Sequence, residues 1–143
     1  MTIKLNNTTD NKKYVFGTVN GFERNKNFNI IVASLPKGDV DQVVINALMG
    51  VESTITISFD ISPRTDDYTD GTGTPVSNSI DAEANWLYDT VCGGSSKSFT
   101  ITRTRDSKTW VGSLSDISIP EIGEQPNKIV CRIVFKEGVI PTV

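Results

Sequence analysis

The chain has 143 residues, of which 37% are hydrophobic and 22% charged, with a formal net charge of −3 and no histidine. This balance indicates one ordinary folded domain, and no apolar run reaches the roughly 18 residues that span a bilayer. The lack of histidine excludes Ser-His-Asp and Cys-His nucleophile pairs, histidine metal ligands and the usual general base near neutral pH. The acidic balance also argues against a surface that wraps tightly around phosphate groups.

The N-terminal residues 1–13 contain no apolar core of the length that a secretory signal needs. We therefore expect the protein to be made and kept in a cytosol-like compartment, where Cys92 and Cys131 would be free thiols. Both cysteines are interpreted as small hydrophobic residues rather than as a disulfide or a reactive pair.

Two short strands are predicted near the N-terminus, at 13–19 and 27–33, joined by a polar connection. The connection begins with Asn20-Gly21, a turn signal, so the two strands are expected to form a hairpin. The next segment, 39–49, fits either an amphipathic helix or, because of the β-branched run Val43–Ile45, a strand. Both alternatives stay open.

The cleanest alternation in the chain runs over Val51–Ile61, where apolar and polar residues take turns. This pattern predicts a long antiparallel strand with one wet face. The segment that follows, 62–78, is a long loop rich in Gly, Pro, Thr and Asp. Loops of this length are commonly functional or disordered, so it is a candidate for contact with another molecule.

A helix is predicted over 80–91, with Ser79 or Asn78 as its N-cap and acidic residues in its first turn. Trp86 lies off its apolar stripe and must cover something else, either a neighbouring loop or a neighbouring subunit. The predicted buried stripe consists of Ile80, Ala84, Leu87, Tyr88 and Val91.

Three strands are predicted after the helix, beginning at Lys97, Thr109 and Asn127. In the second of them the apolar residues change parity, which predicts a bulge near Ser115-Asp116. The last strand has apolar residues on both faces and is expected to be central or to lie at an interface.

No motif in the sequence indicates catalysis or a cofactor. The run 93–98 has the wrong order of elements for a phosphate-binding loop. The acids of the long loop lack the ligand spacing of an EF-hand, and nothing places two carboxylates across a cleft. A basic cluster at the tip of a predicted hairpin is either an exposed charged turn or a partner for an acidic loop of another subunit. No catalytic residue, metal ligand or cofactor is therefore assigned.

The stretches IDAEANWLYDTVCGG and KSFTITRTRDSKTWVGSLSDISIPEIGEQPNKIVCRIVFKEG carry a resemblance. Together with the strand from Val51 and the loop after it, their element order and their Trp and Gly placement resemble the major tail tube protein of long-tailed, siphovirus-like phages. Tube proteins of contractile tails and of type VI secretion share that fold.

The resemblance implies a mainly β (α+β) fold: two packed antiparallel sheets forming a sandwich or barrel, flanked by the helix at about 80–91. It implies one domain over 1–143, with the loop 62–78 as an arm between subunits. Six copies would form a ring, and stacked rings would form the tube through which viral DNA is ejected. DNA would contact the protein only while it passes through the lumen. An acidic wall would repel DNA rather than bind it, so the DNA could slide through.

Under the same resemblance the protein belongs to the virion tail, after synthesis in the host cytoplasm and without membrane insertion. Its partners would be further copies of itself and the tape measure, tail terminator and distal tail proteins. The candidate residues for contacts between subunits or rings are Arg64, Asp66, Asp67, Tyr68, Asp70, Trp86, Arg103, Arg105 and Lys108.

A second class of function stays open beside this one. A soluble β-sandwich could bind carbohydrate or protein through an aromatic surface of Trp86, Trp110 and Tyr68. An enzyme is the least favoured class, because most common catalytic mechanisms use a histidine side chain and this chain has none.

Overall fold

The computed structural model of the protein describes residues 2–34, 43–73, 79–93, 97–120 and 127–138. Seven strands and one helix make up the described chain, and the predicted mainly β class with a flanking helix is confirmed. The strands are β1 (Ile3–Asn7), β2 (Lys12–Val15), β3 (Thr18–Ser34), β4 (Val43–Ile61), β5 (Phe99–Arg103), β6 (Lys108–Ser118) and β7 (Ile129–Glu137). The helix α1 (Ile80–Asn85) continues as a π-helix over Trp86–Val91.

All seven strands belong to one antiparallel sheet in the order β2-β1-β5-β6-β7-β4-β3. The resemblance implied two packed sheets, whereas the described strands form a single hydrogen-bonded sheet. The two layers come from rolling of this sheet. β2 and β4 are five strands apart, about 24 Å in a flat sheet, yet the ring centroids of Phe16 and Phe59 are only 4.7 Å apart.

The short connection between the two edge strands, β2 and β3, also indicates that the sheet is rolled. β2 ends at Val15 and β3 begins at Thr18, so only Phe16 and Gly17 separate the opposite edges of the sheet along the chain. The sheet is therefore rolled like an open barrel, with a seam between β2 and β3, which do not pair with each other in the described chain. Its concave side holds the core, which includes Leu5, Tyr14, Ile57, Phe59, Leu87, Ile101, Ile133 and Phe135.

The predicted N-terminal hairpin is wrong. β2 pairs with β1, a strand that the prediction missed, and residues 18–34 form one continuous strand. Asn20-Gly21 makes a bulge in β3 rather than a turn, since Val19 pairs with Phe59 and Gly21 with Ser58. The extra residue, Asn20, donates from Nδ2 to Asp60 Oδ1 at 2.7 Å, a partner that sequence spacing cannot reveal.

Residues 43–61 form one strand. Of the two alternatives for the segment 39–49, the strand is therefore correct for residues 43–49, whereas residues 39–42 lie outside the described ranges. The predicted strand Val51–Ile61 is confirmed as the second part of β4. It pairs with β7 from Thr54 to Ile61. Before Thr54, β4 is hydrogen-bonded to β3 alone among the described strands, so residues 28–34 and 43–51 form a two-stranded extension of the sheet.

The predicted helix and its Ser79 cap are confirmed, with Ser79 Oγ accepting from the Ala82 amide at 3.1 Å. The predicted burial of Tyr88 is wrong, because its side chain is 55% exposed. The cause is the π-helical second half, in which the Cys92 amide bonds to the Leu87 carbonyl at 2.9 Å. The wider turn rotates Tyr88 away from the face that buries Leu87 and Val91.

The three C-terminal strands are confirmed, and β7 lies between β6 and β4 as a central strand. The register of β6 shifts between Leu114 and Asp116, so the predicted bulge is confirmed. Cys92 and Cys131 are free thiols, as expected, and burial raises the pKa of each to about 12.

Phe59 provides a test of the rolled sheet, since its ring contacts residues from the opposite end of the strand order. We expect Phe59→Ala to lower the free energy of unfolding in urea by about 3–5 kcal/mol, the usual cost of a large cavity in a core. Thr56→Ala, a change on the outer face of the same strand, should cost about 0.5 kcal/mol or less. Equal effects of the two substitutions would contradict the rolled arrangement.

Candidate functional site

The outer edge of β2 is covered by the chain's own loop and helix. Lys13 and Val15 turn their backbone groups away from β1, and the amide of Val15 donates to the Tyr68 carbonyl at 2.9 Å. The amide of Lys13 donates to Thr72 Oγ1 at 3.2 Å. An unpaired strand edge is a template for pairing with another chain. These bonds close the β2 edge to such pairing.

Two side chains complete this cover by donating to the remaining β2 carbonyls. Arg64 Nη2 donates to the Val15 carbonyl at 2.6 Å, and Trp86 Nε1 donates to the Lys13 carbonyl at 3.1 Å. A Cβ atom at Gly73 would lie 2.6 Å from the Trp86 ring, so glycine is required there for the loop to approach the indole. Of the two alternatives for Trp86, the contact observed is with a neighbouring loop of the same subunit.

A buried ion pair anchors Arg64 beneath the loop. Glu83 is 2% exposed and accepts from Arg64 Nε at 2.8 Å and from the Tyr14 hydroxyl at 2.6 Å. The Arg64 guanidinium also lies 5.7 Å from the Tyr14 ring and 5.6 Å from the Tyr68 ring. Burial, followed by the charge of Glu83, raises the pKa of Tyr14 well above its ordinary value, so its hydroxyl stays a donor.

The acids of the loop differ in their surroundings. Asp67 folds the loop by accepting from the Thr69 amide at 2.8 Å, the Thr69 hydroxyl at 2.6 Å and the Gly71 amide at 3.0 Å. The bond from the Thr69 hydroxyl is the largest of the causes that lower the pKa of Asp67, which keeps it charged. Asp70 pairs with Lys4 at 3.3 Å. The side chain of Asp66 is 68% exposed and lies 3.6 Å from Arg64.

A second cluster surrounds the turn between β5 and β6. Arg103 is 5% exposed and holds Asp106 through two bonds of 3.0 and 2.6 Å. Its guanidinium lies 5.0 Å from the Phe22 ring and 5.1 Å from the Trp110 ring. Arg103 is thus a structural residue in the subunit.

A cleft of about 660 Å³ opens beside Trp110. Arg24, Lys26 and Lys108 line it, together with the carboxylate of Glu137. The sequence prediction included Lys108 but missed Arg24 and Lys26, because it assigned them to a polar connection. Every position of 23–27 is polar, so the apolar alternation that indicates a strand is absent and the sequence has no signal for this one.

The structure therefore separates the predicted contact residues into two groups. Arg64, Tyr68 and Trp86 meet at the β2 edge, where Tyr68 is 2% exposed. Arg103, Arg105 and Lys108 lie at or beside the β5–β6 turn, and Arg105 and Lys108 are exposed. The role of all these residues between subunits stays a prediction. The aromatic surface of the alternative function is not formed, because Tyr68 and Trp110 are buried.

Within the described ranges, no group of three or more Cys, Asp and Glu side chains is placed to hold a metal ion. The described part of the chain also has no helix that is both long and apolar enough to span a membrane.

The buried ion pair yields a prediction about stability. Arg64→Met should leave Glu83 buried without its cation and lower the free energy of unfolding by about 3–5 kcal/mol, measured in urea. Adding Glu83→Met should recover part of that loss. Arg132→Ala, which removes an exposed pair with Asp116, should cost about 1 kcal/mol or less. A loss of that small size for Arg64→Met would contradict an anchoring role.

The Arg103 cluster yields a prediction about pH. The bonds from Arg103 lower the pKa of Asp106 to about 2. Because the folded pKa is depressed, the pair should stabilise the turn fully above about pH 4, the ordinary range of an aspartate. That stabilisation should be lost as the pH falls through about 2. A carboxyl titration by NMR checks this, and a midpoint near 4 for Asp106 would refute it.

Comparisons with known proteins bear on the fold. No protein-family model matches the chain, and no curated protein sequence matches it. Among solved structures, the chain is similar to one described as "Tail of empty GTA particle computed with helical refinement, C6 symmetry". The match has a TM-score of 0.56 at 11% identity and covers 97% of this chain and 91% of that one. This protein therefore shares its fold, over nearly its full length, with a component of a C6-symmetric tail.

Proposed function

We propose that the protein is a structural subunit of a viral tail tube, without catalytic activity, that assembles into six-membered rings stacked as a conduit for DNA ejection. The fold shared with a C6-symmetric tail supports this proposal. Within the subunit, the main observation that supports the proposal is the two-stranded extension formed by β3 and β4.

Among the described strands, the extension has no third strand beside it. Residues 43–51 of β4 reach about 30 Å at the usual rise of a strand, and the third strand, β7, begins to pair only at Thr54. A two-stranded hairpin is at best marginally stable in water. The sequence of this part is apolar at consecutive positions, with Ile30–Ala33 on one strand and Val43–Ile45 on the other. A second copy of the chain would provide the surface that such a hairpin needs.

The outer face of the sheet suits the wall of a conduit. It carries a row of small, polar, half-buried side chains, namely Thr54, Thr56, Ser58, Thr100 and Thr102, interspersed with Val111, Val130 and Val134. Its charges are compensated locally, since Lys136 pairs with Glu52 at 2.7 Å and Arg132 with Asp116 at 3.2 Å. Such a face offers few free cations to phosphate groups, so DNA could slide past it without being held.

We further propose that the finer features implied by the resemblance hold for this chain. The tail would be of the long, siphovirus-like type. The tape measure, tail terminator and distal tail proteins would be its further partners, and synthesis would take place in the host cytoplasm. Bonds from Tyr68 and Arg64 hold residues 64–73 of the loop 62–78 on their own subunit. We therefore restrict the proposed contact between subunits to the exposed side chains of this loop.

The direct test is to purify the chain and raise its concentration while following its size by sedimentation velocity and electron microscopy. We expect six-membered rings or stacked tubes. A matched variant would replace residues 31–46 by Asn-Gly, joining the paired Ile30 and Ala47. It should keep the circular dichroism and melting temperature of the parent but remain monomeric.

Two outcomes would count against this proposal. A full-length protein that stays monomeric at the highest soluble concentration would contradict self-assembly. A shortened variant that still forms the same rings would show that the hairpin is not the contact that joins the subunits.

A further inference from the structure

The cleft beside Trp110 contains an arginine that is already oriented for binding. The Arg24 guanidinium lies 5.4 Å from the ring of Trp110, which is 8% exposed and packs against Phe22 at 5.5 Å. On the same indole, the Arg103 guanidinium is fixed by Asp106. A guanidinium stacked on a fixed ring keeps its N–H edge free, and that edge matches a carboxylate in a two-point contact.

The positive charge of this cleft is not compensated within the described chain. The described ion pairs use other cations, namely Lys4, Arg64, Lys97, Arg103, Lys128, Arg132 and Lys136. Arg24, Lys26 and Lys108 have no such partner there, and Glu137 is the one carboxylate among the residues that line the cleft. The cleft therefore fits a partner that brings carboxylates.

The loop on the β2 edge carries carboxylates of the required kind. Asp66 is 68% exposed, and its one ion pair with a described residue is the 3.6 Å contact with Arg64. The backbone around it is fixed by the bonds to Asp67 and by the burial of Tyr68. An acidic group on an ordered loop loses little entropy when it binds, which favours a specific contact.

We propose that the cleft lined by Arg24, Lys26 and Lys108 is the docking site for the Asp66 loop of a second copy of the chain. This inference rests on the proposed self-assembly and names one of its contacts. The contact is heterologous, because the cleft of one copy receives the loop of the next. Repetition of such a contact closes a ring or continues a stack.

The test compares two charge-reversal variants of equal net charge. Lys26→Glu with Lys108→Glu alters the cleft, and Lys128→Glu with Arg132→Glu alters exposed cations outside it. We expect the cleft variant to raise the concentration needed for assembly at least about tenfold, which corresponds to about 1.4 kcal/mol. The control variant should stay within about twofold of the parent. Unchanged melting temperatures would show that both variants fold.

Repair by the opposite charge identifies the partner. Asp66→Lys alone should weaken assembly, and combined with the cleft variant it should bring the assembly concentration back to within about threefold of the parent. Cleft variants that assemble like the parent, or an equal loss in cleft and control variants, would overturn the docking site and leave self-assembly standing. A parent chain that never assembles would overturn both.

A nucleic-acid partner gives a different result in the same experiment. If the cleft received phosphate groups, the cleft variant would weaken the binding of a duplex oligonucleotide measured by fluorescence anisotropy. The Asp66→Lys change would then fail to restore assembly, and the proposed loop contact would be wrong.

Discussion

The subunit depends on the ion pair between Arg64 and Glu83. Within the described chain no backbone hydrogen bonds join the first and last strands of the rolled sheet, so its seam is closed by the loop and by side chains. Arg64 performs this task because one guanidinium reaches a buried carboxylate, a β2 carbonyl and the faces of two tyrosine rings. A buried ion pair adds little stability by itself, but the loss of either partner leaves a costly charge in the interior. The position of the loop 62–73 follows from that constraint.

Closing the seam also makes the two edges of the sheet unequal. The β2 edge is occupied by the loop and by Trp86, so another chain cannot extend the sheet there. The β3–β4 hairpin, in contrast, continues beyond the strands that would support it. The proposed assembly through the hairpin would therefore be directional, and the proposed docking in the basic cleft would add a second heterologous contact. Directional contacts suit a ring or a stack better than a symmetric dimer, whose interface pairs a patch with itself.

The sequence predicts those parts of the structure that are governed by local pattern. The alternation of Val51–Ile61, the cap at Ser79 and the parity change near Asp116 are each visible within a few residues, and each is confirmed. The wrong predictions fall where the local structure depends on a residue that is distant in the sequence. Asn20-Gly21 suits a turn or a bulge equally, and only its pairing with β4 selects the bulge.

The candidate site was harder to predict for the same reason. Glu83 has the sequence position of an ordinary acid in a first helical turn, but the seam places it against Arg64 and Tyr14. Tyr88 matches an α-helical stripe, but the π-helix turns it outward. The aromatic surface predicted for the alternative function is not formed, because the side chains of Tyr68 and Trp110 are buried in the subunit. The periodicity of a segment thus predicts its buried residues where the backbone keeps one regular period, but it does not predict which buried polar groups meet.

Hydrogen–deuterium exchange, measured on the dilute monomer and on the concentrated assembly, tests the central claim that the subunit is completed by its copies. The backbone amides of residues 28–34 and 43–51 should exchange rapidly in the monomer and become protected in the assembly. The amides of Lys13 and Val15 at the closed β2 edge should be protected in both states. A hairpin that is equally protected in the monomer, or that stays unprotected in the assembly, would contradict the account.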